Sequence, residues 1–420
     1  MHNYLKLITL TVAFFATTLL PAQITPQRFA DNPKVALANL RPYFFEGDQD
    51  GSYALKGYKP FYISHFGRHG SRFLSRPKYI DPAWECFSAA KAEGLLTPKG
   101  DSLYNAIKMV TEAQNGMYGE LAPLGAKEHR AIAKRMYERE KKVFTSGKRS
   151  KVRCVSSVFS RCIVSMVNFT EELSSHAPSL ELSYLVGQRY NDQYINVHPK
   201  YNFKPQAISI IDSLKRVSLS PETLLPLYFT DTQKVAKFIS NPYEFEMGIY
   251  FAWAVCFDLD FLSLDITNLV PADQLAACGK VENAYRFATV SVSEEFGEHV
   301  APAGECLLRD IVEKADDALK SDSDVAADLR FAHDSGLLPM CQLLGIEGFP
   351  TYTIDQAHKS WNMADVVPMC ANLQMVFYKG KEDVLVRIML NEKPAVIPAM
   401  TPVNGIYYRW NDIREHILNL

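Results

Sequence analysis

Residues 61–72 read Phe-Tyr-Ile-Ser-His-Phe-Gly-Arg-His-Gly-Ser-Arg, an apolar run that ends in a histidine, His69, set between Arg68 and Arg72. These residue types suit chemistry on phosphate. Guanidinium groups offer planar forks of donors that match phosphate oxygens, an imidazole can act as nucleophile, and Gly70 lets the backbone approach a ligand closely. Arg68, Arg72, Arg76 and Lys78 fall within eleven residues that contain no Asp or Glu. Two further stretches carry matching chemistry: Ser157 and Arg161 in one, His333-Asp334 in the other.

The elements needed to position these groups are legible around each of them. Aromatic and β-branched residues over 61–66, after Pro60 and before Gly67 and Gly70, predict a strand. Residues 152–155 predict a second strand, broken by Ser156 and Ser157 and followed by an apolar-rich helix over 161–169. Arg161 then opens that helix, where free N–H groups and the helix dipole already favour an anion. At 329–336 another hydrophobic approach runs into His333-Asp334 and a helix over 337–344, with Asp334 or Ser335 as its cap and Gly345 as its stop. Each unit is a strand-turn-helix junction. Neighbouring parallel strands would bring all three turns to one rim, the edge where open α/β sheets bind ligands.

Composition restricts the function classes. The chain has 420 residues, with 45 Lys and Arg against 47 Asp and Glu, a formal charge of −2 at pH 7. Attraction for anions must therefore come from a focused patch. No basic stripe with interleaved aromatics supports nucleic-acid binding. Lys6 precedes an apolar or small stretch over 7–20, the length of a signal-peptide core and short for a membrane span, which predicts cleavage after Ala22 and export to the periplasm or beyond. The mature chain is then expected to keep no stable membrane anchor. Eight cysteines could pair in an oxidising compartment, but they are scattered through apolar contexts, and a chain this long has core enough without staples.

Other constellations carry less. Cys154 and Arg161 have six residues between them where the cysteine phosphatases have five, and no glycine-rich cradle intervenes, so Cys154 reads as a strand core residue. Glu128-His129 and Glu298-His299 lack the second histidine of a metalloprotease helix and read as solvated helix faces. His198-Pro199 lies in a Tyr- and Asn-rich stretch over 190–203 that reads as a loop.

Arg68-His69-Gly70-Ser71-Arg72, Ser157 with Arg161, and His333-Asp334 together resemble the histidine acid phosphatases, the second branch of the histidine phosphatase superfamily. The resemblance extends to residues 119–125 with His129, to 310–344 and to Ala371-Asn372-Leu373, and is weakest between about 200 and 280. The wording over 310–345 is most similar to bacterial multiple inositol polyphosphate phosphatases. Leu74 stands where the family's first motif usually has proline, and His-Asp stands where many inositol polyphosphate phosphatases have His-Ala-Glu.

The resemblance implies His69 as nucleophile and Asp334 as proton donor. It also implies Arg68, Arg72, Arg161 and His333 as phosphate ligands, and Arg76 as a contact to further substrate phosphates. No metal or other cofactor is expected. The expected fold is α/β, a three-layer core with a central, mostly parallel sheet flanked by helices. Residues 23–200 and 300–420 would form that core, and 201–299 a smaller inserted helical domain forming one wall of the cleft. The expected activity is that of an exported phosphomonoesterase acting on inositol polyphosphates. A broader acid phosphatase is the second reading, and a catalytically silent anion-binding protein the third. Three guanidinium groups should keep His69 unprotonated below its reference pKa of about 6.5. Asp334, with a reference value of about 3.9, must instead hold its proton when substrate is bound, either at acidic pH or through the charge of the bound phosphate.

Overall fold

The computed structural model describes residues 23–46, 55–197 and 201–420; the apolar leader and His198-Pro199 lie outside them. Among the described residues an eight-stranded sheet runs in the order β3-β2-β4-β1-β5-β6-β7, with β8 paired to β6. The strands are β1 Lys59–Arg68, β2 Lys151–Ser156, β3 Glu181–Val186, β4 Val325–Ala332, β5 Asn372–Lys379, β6 Val384–Leu390, β7 Lys393–Pro394 and β8 Tyr407–Arg409. The half from β3 to β1 is parallel throughout, and β5 turns the sheet antiparallel. The three expected strand-turn-helix units are therefore neighbours, with β4 between β2 and β1.

Period-two alternation explains why both faces of the sheet are covered. In β1, Tyr62 and Phe66 face one hydrophobic cluster, with Leu307 and Ile311 of helix Gly297–Ala318 and Leu337 of helix Asp334–Leu343. Ile63 faces the other, with Ile132 and Met136 of helix Pro123–Arg139 and Met166, Phe169 and Leu173 of helix Ser160–His176. These are the three expected layers.

A third cluster is helical. Its centre is helix Pro242–Cys256, buried at every position from Phe245 to Cys256, as expected of a helix that is apolar all round. The helical layer is not confined to 201–299. Helices Asp81–Ala92 and Pro98–Gln114 bury Phe87, Leu103 and Ile107 in the same cluster, because their amphipathic faces follow directly on the first motif loop. Helix Ala272–Val290 joins this layer to the core side, its polar residues Glu282, Asn283 and Arg286 satisfied by partners instead of solvent.

All eight cysteines are free thiols, seven of them buried, including Cys154 in β2. Buried arginines at the far parts of the sheet pair with carboxylates: Arg330 with Asp310 at 2.6 Å, Arg153 with Asp328 and Asp317 at 2.7 Å, and Arg387 with Glu140.

The first motif loop is seated on the start of helix Pro123–Arg139 by two glycines. A Cβ on Gly70 would stand 2.6 Å from the Gly125 Cα, and one on Gly125 would stand 2.7 Å from the Ser71 nitrogen. The obstructing atoms are backbone and cannot swing aside. Gly125→Ala should therefore destabilise the protein by about 1–3 kcal/mol, read as a lower denaturant midpoint at unchanged slope. An unaltered midpoint would show that the two backbones have room to part.

Candidate active site

Strand ends join the three motifs. Arg68 is the last residue of β1, and past it the His69 N–H donates to the Ala332 carbonyl at 2.9 Å, while the Ser157 N–H donates to the Phe331 carbonyl, also at 2.9 Å. The turns carrying His69, Ser157 with Arg161, and His333-Asp334 are thus held in register at the carboxyl ends of β1, β2 and β4. Arg161 lies in the first turn of helix Ser160–His176, as expected. The cap differs from expectation. His333 is the residue before helix Asp334–Leu343, no side chain caps that helix, and Asp334 turns away from the cap position within the first turn.

His69 is buried, and its Nδ1 lies 2.9 Å from the Gly70 carbonyl oxygen. A carbonyl only accepts, so Nδ1 carries the proton and Nε2 keeps its lone pair. Burial, then Arg161, Arg68, Arg72 and His333, hold the imidazole well below its usual pKa and so favour its neutral form.

The arginines are held mainly by backbone carbonyls. Arg68 donates to Val367 at 2.9 Å and Asn39 at 2.8 Å, Arg72 to Phe73 at 2.8 Å, and Arg161 to Gly119 at 3.3 Å. Each keeps a buried Nε–H without a protein acceptor. Burial, with Arg161, Arg68 and Arg286 close by, pushes Arg72 down to about 9. Such a shift marks positive charge crowded together and not cancelled, a state that an anion relieves.

His333 Nε2 lies 3.0 Å from the Ser157 hydroxyl, and its ring stands edge-on to His69 at 5.6 Å. Burial and Arg161 push it down to about 3. The Asp334 carboxylate accepts from Asn39 Nδ2 at 3.1 Å and lies 3.3 Å from Arg68 Nη2. Burial alone would raise it, but Arg68, Arg286, Asn39 and His333 outweigh burial and hold it well below the usual carboxylate range.

His69, Arg68, Arg72, Arg161, His333 and Asp334 thus form one cluster. Arg76 stands apart, exposed just before the turn Pro77–Tyr79. There it joins Lys78 and Lys204, whose ammonium is lowered by burial and by those two cations. A cavity of about 370 Å³ opens in the helical layer beside Lys78, Tyr79, Lys215, Glu282 and Tyr285. None of the six clustered residues lines it, and the chemistry belongs to the strand ends; Arg286, one helical turn beyond Glu282 and paired with it at 2.6 Å, links the two.

Several contributors were not read from the sequence. Glu128 and His129 are buried, not a solvated helix face. Glu128 accepts from the backbone N–H groups of Tyr43 and Ser71 at 2.8 and 2.9 Å, and so ties the motif loop to the helix. Its polar neighbours in sequence hid this, since its partners come from other segments. Asn39, Arg286 and Asn191 were likewise missed. Glu298-His299, by contrast, does lie at the surface on its Glu298 side, 84% exposed.

No protein-family model and no curated protein sequence matches the chain. Solved structures do. The multiple inositol polyphosphate phosphatase of Bifidobacterium longum, in complex with inositol hexasulfate, superposes with a TM-score of 0.74 at 19% identity, over 90% of this chain and 96% of that one. The phytase of D. castellii gives 0.67 at 12% identity, over 94% and 87%. Hafnia alvei phytase in complex with myo-inositol hexakis sulphate gives 0.52 at 12% identity, over 87% and 98%. The chain therefore has the fold of multiple inositol polyphosphate phosphatase and phytase, the α/β fold that its resemblance to the histidine acid phosphatases implies.

Proposed function

We propose that the protein is an exported phosphomonoesterase that hydrolyses inositol polyphosphates such as phytate. The observation that carries this reading is the convergence of Arg68, Arg72 and Arg161, their donors held mainly by carbonyl oxygens, around His69, whose Nε2 keeps a free lone pair. The bound inositol hexasulfate of the Bifidobacterium longum phosphatase supports the substrate class. The leader at residues 1–22 supports export, and among the described residues no helix is long and apolar enough to cross a membrane. In this reading the substrate is a small phosphomonoester, nucleic acid is not a partner, and the helices of 201–299 form one wall of the cleft.

The chemistry has two steps. Nε2 of His69 attacks phosphorus in line, the P–O ester bond breaks, and Asp334 gives its proton to the departing alkoxide. Water then attacks the phosphohistidine, Asp334 takes back a proton, and phosphate leaves with His69 restored. Arg68, Arg72, Arg161 and His333 hold the phosphoryl oxygens while charge builds on them. In the empty site Asp334 is ionised. A bound phosphate offsets the potential of Arg68 and Arg286, and the carboxyl then rises toward the range where it holds a proton.

A catalytically silent binder would need neither a nucleophile nor an acid. His69→Ala should lose roughly 10⁴- to 10⁶-fold in kcat, and phosphate release equal to wild type would defeat the proposed chemistry. Asp334→Asn should lose about 10²- to 10⁴-fold on alkyl phosphates and much less on an aryl phosphate, whose leaving group needs no proton. Wild-type kcat on alkyl esters should fall as pH rises through the substrate-bound pKa of Asp334, a limb absent from the variant.

Substrate class is tested by kcat/KM on phytate against a simple aryl phosphate. A preference for phytate of about a hundredfold, roughly 2.7 kcal/mol, is expected. The broad acid phosphatase, which the His-Asp form favours, would turn over both alike. Arg76→Ala should lower the value for phytate about tenfold and leave that for the aryl ester nearly unchanged; parallel losses would place Arg76 among residues that act on any phosphate.

A further inference from the structure

The stretch over 190–203, which reads from sequence as a loop, holds a π-helical turn, Asn191–Ile195, beside the second motif. Such turns recur at functional sites. Asn191 is buried, its Nδ2 donates to Asp192 at 3.2 Å, and its Oδ1 receives the Val158 N–H at 3.4 Å. These two contacts fix which way the amide points. Oδ1 is also 3.0 Å from the Ser157 hydroxyl. An amide oxygen only accepts, so the single hydroxyl proton of Ser157 is committed to Asn191.

The hydroxyl oxygen is then left as an acceptor, 3.0 Å from His333 Nε2. Across the ring, Nδ1 lies 3.5 Å from Arg161 Nη2, which can only donate. The Cys162 thiol, also close to the ring, directs its proton to the Ala332 carbonyl. Its sulfur lies 3.8 Å from Nδ1 and 3.7 Å from Nε2 and selects neither, whereas Ser157 and Arg161 ask for the same tautomer, with the proton on Nε2 and a lone pair on Nδ1.

Building on the phosphatase reading above, we propose that Asn191 and Ser157 are positioning residues that lock the His333 proton on Nε2, so that His333 holds a phosphoryl oxygen only after Nδ1 takes up a second proton. That proton comes from solvent or from a singly protonated phosphomonoester. No bond other than N–H forms, and the imidazole becomes an imidazolium. Arg161, Arg68, Arg72 and His69 surround the ring and oppose this charge, while Asp334 favours it. The negative charge of the bound polyanion supplies what the ring lacks, so protonation and binding are coupled. His333 would then distinguish an occupied site from an empty one, and would add a cation only when there is charge to meet it.

The test is side-chain NMR of the full-length protein labelled with ¹⁵N-histidine, with the His333 signals assigned through His333→Asn. The ligand is inositol hexasulfate, whose own charge does not titrate. The free enzyme at neutral pH should show Nε2 protonated and Nδ1 bare, and saturation with hexasulfate should move both nitrogens into the protonated range. Ser157→Ala should mix the two neutral tautomers in the free state, a spectroscopic change that a purely structural role would not produce. A free enzyme with its proton on Nδ1, or a saturated complex with Nδ1 still bare, would overturn the proposal. Failure of hexasulfate to bind at all would count against the phosphatase reading, and the tautomer of the free enzyme would still decide whether the chain from Asn191 works as described.

Discussion

Everything at the strand ends depends on how Arg68, Arg72 and Arg161 are brought together with their donors held mainly by carbonyl oxygens, Asp334 standing 3.3 Å from Arg68. Elsewhere the fold buries an arginine in the usual manner, as with Arg330 on Asp310 and Arg135 on Glu392, both within 2.7 Å. Around His69 the donors meet carbonyl oxygens of Val367, Asn39, Phe73 and Gly119 instead. Carbonyls satisfy the geometry of an N–H and leave most of the charge standing. Asp258 is buried nearby, where burial and the neighbouring Glu128 push its carboxyl well up. The cluster is costly when empty, and that cost is the binding energy available to an anion of the right shape.

That arrangement explains features that look unrelated. Four carbonyls from four segments must arrive together, so the motif loop needs a rigid seat, which the Gly70 and Gly125 contact and the Glu128 carboxylate provide. Asn39 serves twice: its carbonyl holds Arg68 and its amide holds Asp334. One residue thereby fixes the distance between Arg68 and Asp334. The same arginine potential that strips the proton from His69 also strips it from Asp334 in the empty site. In the proposed mechanism a nucleophile gains from this and an acid does not, and the charge of the substrate resolves the conflict.

The sequence made the inner cluster legible because each of its residues sits at a junction with a strong local signature. An apolar strand, a small-residue turn and an apolar helix can be read within a dozen positions, and the six residues lie in the turns or at the strand end and helix starts that flank them. What escaped was long-range. Glu128 looks like an exposed acid in a Lys-rich helix, and only the folded chain reveals that its acceptors serve Ser71 and Tyr43. Arg286 pairs with Glu282 in a pattern common on helix surfaces, yet the helix lies against the segment of Asn39 and the pair is buried. The helical layer was drawn too narrowly for the same reason. Residues 73–122 belong to it by packing, although in sequence they belong with the first motif.

Charge is graded outward from the site. In the proposed reading the inner ring meets one phosphoryl group, and nothing in it depends on what that group is attached to. Beyond it, Arg76, Lys78 and Lys204 crowd one another enough to lower Lys204, at a place where the helical layer meets the motif loop. A protein with a formal charge of −2 has no general attraction for polyanions, so this second group of cations matters more than it would on a basic surface. A monophosphate ester gains nothing from it. In the proposed reading, a ring that carries several phosphates occupies the inner cluster with one and the outer cations with others, and its discrimination then rests on Arg76 and Lys78 just after the first motif loop together with Lys204 at the start of helix Lys204–Ser218.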